Sequence, residues 1–95
     1  MKNLMIEFLG VARNVTGIRK FPIKVSEQAT YHDVTRLLSE MYPTLVGEVI
    51  HESGDTFIES NVISRNGQQM IRSEQFHQQP ADGDLLLVMS ILAGG

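Results

Sequence analysis

The 95-residue chain closes on Leu92-Ala93-Gly94-Gly95, and these are the residues whose types and spacing could do the most distinctive chemistry. Glycine has no Cβ, so Gly94-Gly95 can enter a slot too narrow for any side chain, and the Gly95 carboxylate carbon is open to attack from either side. A carboxylate is a poor electrophile. It becomes reactive as a mixed anhydride, most simply an acyl adenylate made with ATP and Mg²⁺ on a partner enzyme. The adenylated carbonyl of Gly95 could then take a sulfur nucleophile and become a thiocarboxylate. Alternatively it could pass to an enzyme cysteine and then to a lysine amine, ending as an amide. Glycine usage gives a terminal Gly-Gly to about 0.5 % of chains by chance, so the motif is moderately specific.

Little else in the chain offers chemistry of its own. There is no cysteine, which excludes disulfides, zinc thiolates and a cysteine nucleophile, so any sulfur must come from elsewhere. His32, His51 and His77 lack the short spacings of metal motifs, and no metal site is expected. No nucleophile and base pair, phosphate loop or convergent acid pair emerges, and Asp82 and Asp84 flank Gly83 as turn residues whose carboxylates bond nearby backbone N–H groups. No catalytic residue is expected. The chain reads as a carrier on which partner enzymes act, with no bound cofactor.

Composition narrows the class further. At 95 residues with 42 % apolar content, one domain with one core is expected. The apolar run at residues 85–89 is far shorter than the ~20 residues of a membrane span, and no signal-peptide pattern opens the sequence. The expectation is a cytoplasmic protein without membrane partners. Net charge is −3, unevenly spread: residues 1–36 hold six Lys/Arg against three acids, and residues 37–95 hold two against eight. The acidic stretch Glu40, Glu48, Glu52, Asp55, Glu59 argues against a nucleic-acid partner and mildly favours a basic protein one, though a solvated acidic face is the commoner meaning.

A tail that works must be held by something rigid. Residues 4–9 are apolar on both alternating sets apart from Glu7, the pattern of a central strand covered on both faces. Gly10 and Asn14-Val15-Thr16-Gly17 predict a turn. Phe21, Ile23 and Val25 then alternate with Lys20, Pro22 and Lys24 as a half-buried strand, placed at a sheet edge by Pro22. Thr30 with Asp33 predicts a capped helix start, Val34, Leu37, Leu38 and Met41 an apolar stripe, and Pro43 a stop after Tyr42. Leu45, Val46, Val49 and Ile50 suggest a short helix in the least legible stretch. Asn66-Gly67, flanked by residues 62–65 and 69–72, predicts a hairpin. After the turn at residues 81–84, residues 85–89 are apolar throughout and predict a second central strand covered on both faces.

The order strand, strand, helix, ambiguous segment, hairpin, strand suggests an α+β β-grasp. Its mixed sheet would hold the first and last strands at the centre with one main helix packed across it. Residues 1–90 would form the domain and residues 91–95 a thin projecting tail.

In this order the elements resemble the ubiquitin-like sulfur carriers, which comprise the small subunit of molybdopterin synthase and the thiamine-biosynthesis sulfur carrier. The resemblance spans the chain and is carried by Ile6-Glu7-Phe8 continuing to Arg13 and Gly17, by Leu37-Leu38, by Arg65-Asn66-Gly67, by Asp82-Gly83-Asp84 with its strand, and by Ala93-Gly94-Gly95. It implies that Gly95 is adenylated by an ATP-dependent enzyme of the ubiquitin-activating type and thiocarboxylated. Leu92, Ala93 and Gly94 would thread into that enzyme and then into a sulfur-accepting synthase such as the molybdopterin synthase large subunit. The segment through Phe8, Arg13 and Gly17 looks more like the molybdopterin side. Relatives also serve thiamine or cysteine synthesis or tRNA thiolation, or modify lysines as ubiquitin does. The chain departs from the family pattern at residues 44–61, which are longer and more acidic, and at Ile91-Leu92, where a proline-containing approach is common.

Overall fold

A computed structural model describes residues 1–91 and begins with strand β1, Lys2–Phe8, whose Leu4, Ile6 and Phe8 point into the core. Five strands form one mixed sheet in the order β2-β1-β5-β3-β4. β2 (Lys20–Val25) pairs antiparallel with β1, and β5 (Leu85–Ser90) pairs parallel with β1 in the register Met5↔Leu85 to Phe8↔Val88. β3 (Asn61–Arg65) flanks β5 and β4 (Gln69–Ile71) closes the far edge, both antiparallel to their neighbours. The first and last strands therefore lie side by side in the middle.

Local chemistry explains several of these elements. Phe8 N donates to Arg19 O at 2.8 Å, so by alternation Met5↔Pro22 is a non-hydrogen-bonded pair, and Pro22 lacks an N–H only where it would point off the edge. Asn66 and Gly67 both take positive φ, 55° and 69°, and Gln68 N closes the turn on Arg65 O at 3.0 Å. Helix α2 (Tyr31–Met41) opens with a reciprocal box: Thr30 Oγ1 accepts from Asp33 N at 3.3 Å and Asp33 Oδ2 accepts from Thr30 N at 2.9 Å.

Three expectations change. The turn after β1 contains a six-residue helix, α1 (Val11–Thr16), set between Gly10 and Gly17 at φ 58° and 69° and too short for a period to register. The short helix expected at residues 45–50 is a 3₁₀ turn, Pro43–Leu45, followed by a tight curl in which Leu45 O receives the N–H groups of Glu48, Val49 and Ile50. The buried stripe of α2 is Tyr31, Val34, Thr35 and Leu38, with Leu37 only half-buried and Met41 42 % exposed. The period was right and its phase was not. Tyr31 N and His32 N donate to Gln78 O and Phe76 O at 3.0 Å, which docks the first helical turn on that loop and rotates the stripe toward Tyr31. Among the described residues neither the Tyr31 nor the Thr35 hydroxyl finds a partner.

One core joins these parts. Leu4, Ile6, Phe8, Ile63, Leu86 and Val88 from the sheet meet Val34 and Leu38 of α2 and Leu45, Val49, Ile50 and Phe57 of the connecting segment. α1 buries Ala12 in the same cluster. All the non-strand elements that contribute to this core lie on one side of the sheet.

The cap can be checked directly. Replacing Thr30 by alanine should cost about 1 kcal/mol, which lowers Tm by about 4–8 °C in a domain of this size. The Thr30 backbone N–H holds the Asp33 carboxyl below the usual carboxylate range. Its contribution is therefore present above the unfolded pKa near ~4 and lost as pH falls through the lower folded value. Stability of the parent protein should decline more steeply below about pH 4 than that of Asp33→Asn, measured by denaturant melts across that window.

Candidate functional site

The strand that leads toward Gly95 is held at its start by a polar node. Asp84, 5 % exposed, accepts from Arg65 Nε and from Ala81 N through Oδ2, both at 2.8 Å, and from Asn66 Nδ2 through Oδ1 at 3.0 Å. Asn66 returns the connection, its Oδ1 accepting from Leu85 N at 2.8 Å and its N–H donating to Leu85 O at 2.7 Å. Asp82 Oδ1 accepts from Asn3 N at 2.6 Å, and Gly83 N donates to Asn3 O at 2.7 Å, which ties the same turn to β1. Asp82 and Asp84 are turn residues, as expected from sequence. The long-range clamp made by Asp84 went unread, although both of its halves, Arg65-Asn66-Gly67 and Asp82-Gly83-Asp84, stood out as motifs.

At the other end of β5 the ladders continue on both sides. Leu9 N donates to Val88 O at 3.1 Å and Ile91 N donates to Ser60 O at 2.9 Å, so the backbone is paired up to the last described residue. Beside this root Phe8, Phe21 and Tyr42 make three edge-to-face contacts at 5.2–5.5 Å between centroids. The predicted tail residues Leu92, Ala93, Gly94 and Gly95 lie outside the described residues.

The central strands are not covered on both faces, contrary to expectation. Leu4, Ile6, Phe8, Leu86 and Val88 face the helix layer, but Met5, Leu85, Leu87 and Met89 face the other way and are only half-buried, while their β3 neighbours on that face, Val62 and Ser64, are buried. On the same face Met70 of β4 is 46 % exposed. An apolar strip therefore runs along β5 on the open side and ends at the tail root.

The histidines form no site. His32 Nδ1 lies 2.8 Å from Asp55 O, and His51 Nδ1 accepts from Ser53 N at 3.2 Å, both shaping the turn at residues 51–56. Arg36 bridges Asp33 and Asp55 at 3.2 Å, and the Ser53 hydroxyl on its carboxylate holds Asp55 below the usual range, aided by that guanidinium. Among the described residues no group of three or more His, Cys, Asp or Glu could hold a metal ion, and no helix is long and apolar enough to cross a membrane.

A mixed sheet with central parallel first and last strands, one main helix across it and a chain leaving the sheet's centre defines a ubiquitin-like β-grasp. No protein-family model matches the chain. It is 32 % identical over 92 residues to small archaeal modifier protein 3 of Haloferax volcanii, covering 97 % of this chain and 98 % of that one. Its fold matches the crystal structure of SAMP1 from Haloferax volcanii with a TM-score of 0.79 at 22 % identity, covering 98 % and 99 % of the two chains. It also matches a putative molybdopterin converting factor, subunit 1, from Pyrococcus furiosus with a TM-score of 0.72 at 17 % identity, covering 97 % and 100 %. The chain belongs to the ubiquitin-like sulfur carrier family, among its small archaeal modifier proteins.

The node makes a testable claim about positioning. Asp84→Ala leaves Arg65 and Asn66 without their buried acceptor and should cost about 3 kcal/mol, a fall in Tm of more than about 10 °C. In the folded fraction, amide exchange at Leu85 and Leu86 should rise well before that at Ile6.

Proposed function

We propose that the chain is a carrier whose Gly95 carboxylate is activated by a separate ATP-dependent enzyme and then donates sulfur. The observation that supports this reading most is the placement of the strand leading to Gly95 in the middle of the sheet, bonded on the β1 side as far as Val88 and on the other side as far as Ile91. Activation joins the carboxylate oxygen to the α-phosphorus of ATP and releases pyrophosphate. Hydrosulfide then attacks the Gly95 carbonyl, the carbonyl–oxygen bond to AMP breaks and AMP leaves, and loss of the S–H proton leaves a thiocarboxylate. Leu92, Ala93 and Gly94 thread into the activating enzyme, whose Mg²⁺ accompanies ATP. The same segment next enters a sulfur-accepting synthase, for which the large subunit of molybdopterin synthase is the leading candidate. Likeness to a structure named for molybdopterin conversion favours that pathway over thiamine or cysteine synthesis or tRNA thiolation.

A second reading shares the first step and has its own support. The 32 % identical relative is named a modifier, and the same adenylate could pass through an enzyme thiol to a lysine amine of another protein.

Two measurements separate these fates. Intact-mass analysis after incubation with the activating enzyme, ATP and a sulfur source should show the gain that replaces one oxygen by sulfur, and deleting Gly95 should abolish it while leaving Tm within about 1 °C. No gain with the activating enzyme from the same cells would sink sulfur carriage. Conjugation leaves a different mark: the last basic residue is Arg72, so trypsin would leave residues 73–95 attached to the modified lysine. Finding that remnant on other proteins of the cell supports modification, and its absence counts against it.

A further inference from the structure

Tyr31 and Thr35 stand one helical turn apart on the buried stripe of α2, and among the described residues neither hydroxyl has a hydrogen-bond partner. Buried polar groups are bonded in the large majority of cases, so an unpartnered one calls for a reason. Phenylalanine would fill the place of Tyr31 without leaving a buried O–H unbonded. The surroundings of Tyr31 supply the reason. Its N–H donates to Gln78 O at 3.0 Å and its ring lies 6.1 Å from that of Phe76, so the side chain enters the core beside the segment that leads through Ala81 to Asp84. Burial pushes the pKa of the hydroxyl up, the Arg65 guanidinium pulls it down and the Asp84 carboxylate pushes it up, so both halves of the node are felt there. The hydroxyl is protonated at neutral pH, a donor without an acceptor next to the node that fixes β5.

The node has a matching acceptor. Asp84 receives three hydrogen bonds, from Arg65 Nε and Ala81 N on Oδ2 and from Asn66 Nδ2 on Oδ1, whereas an ionised carboxylate has about four acceptor sites. Its countercharge is also its most exposed partner: the Arg65 side chain is 33 % exposed, while that of Asp84 is buried. An ion pair open to water on one side is screened by salt, and once it opens the buried carboxylate has lost its compensating charge. A neutral O–H on the core side escapes that screening.

We propose that the Tyr31 hydroxyl is a standby donor for Asp84, which moves onto Oδ1 when Arg65 withdraws and so keeps β5 in register. In the intact node the hydroxyl is idle. With Arg65 withdrawn it makes a charge-assisted O–H···O⁻ bond, the stronger kind, and offsets part of the lost compensation. The bonds between Asn66 and Leu85 stay in place meanwhile, so the register outlasts the ion pair that helps to set it. Tyr31 acts through Asp84 and is in this sense a positioning residue for the strand that leads to the C-terminus.

The test is a double-mutant cycle on the full chain, read by thermal melts. Tyr31→Phe alone should leave Tm unchanged or raise it, since no bond is lost. Arg65→Met, which keeps most of the stem and removes the charge, should lower Tm by about 5 °C, and Tyr31→Phe in that background should lower it by about 5 °C more. In Arg65→Met the Tyr31 hydroxyl proton should also move downfield in NMR spectra as it bonds the carboxylate, a change that a merely space-filling tyrosine would not show. Thr35→Val removes the other unpartnered hydroxyl and should act equally in both backgrounds. An effect of Tyr31→Phe that is the same with and without Arg65 overturns the proposal. So does an Arg65→Met chain that fails to fold with Tyr31 in place, because the standby bond was not made. A coupling at Thr35 as large as that at Tyr31 would mark general repacking of α2 and overturn it too.

Discussion

The position of β5 depends on one buried carboxylate. Leu85, Leu86, Leu87, Val88 and Met89 are apolar at every position, so hydrophobic patterning gives this strand almost no preference between two registers one residue apart. A slip would exchange Leu86 and Val88 for Leu85, Leu87 and Met89 on the core face and lose little apolar burial. Asp84 removes the ambiguity, because its bonds to Arg65, Asn66 and Ala81, with the return bonds from Asn66 to Leu85, can all be made in one register only. The parallel pairing of β5 with β1 follows from that register, and with it the closure of the core over Ile6, Phe8, Leu86 and Val88.

The one-sided cover of the sheet has a physical cause. α2 is the one long helix, and α1, the 3₁₀ turn and the curl through Ile50 all bury their apolar groups in the cluster that α2 covers. On the other face, among the described strand residues, Val62 and Ser64 of β3 are buried and the positions on β1 and β5 are not. A central strand pair that is apolar on both sides then keeps a half-exposed strip along Met5, Leu85, Leu87 and Met89. Such a strip is a solubility risk in isolation, and the exposed Lys20 and Lys24 of the edge strand β2 blunt unwanted edge contacts.

What could be read in the sequence was what local chemistry decides. Pro22, the Thr30 and Asp33 box and Asn66-Gly67 each act within a few residues, and each element formed where these residues placed it. Failures occurred where distant contacts rule. The stripe of α2 turned because Tyr31 and His32 are bonded to the loop at residues 76–78, more than forty positions away. The segment from residue 46 to 58 is shaped by Ile58 N on Val49 O and Phe57 N on the Ser73 hydroxyl, which no periodicity announces. Continuous apolar runs suggested burial on both faces because the runs record affinity for apolar surroundings. They do not say whether the protein or a partner supplies those surroundings.

The two ends of β5 are therefore physically coupled even though different residues serve them. The node at Asp84 sets the register, and the register sets two things at once: which side chains form the open strip and how far the chain has advanced when it passes Ser60. A one-residue slip would turn Leu86 and Val88 outward and move the point at which the chain passes Ser60 by about 3.3 Å. The open strip and the point of exit are therefore set together. Tolerance at either one is limited by the rigidity of the strand between them, since Val88 and Ile91 are both held in ladders. The strand thus holds Ile91 in one place relative to the open strip.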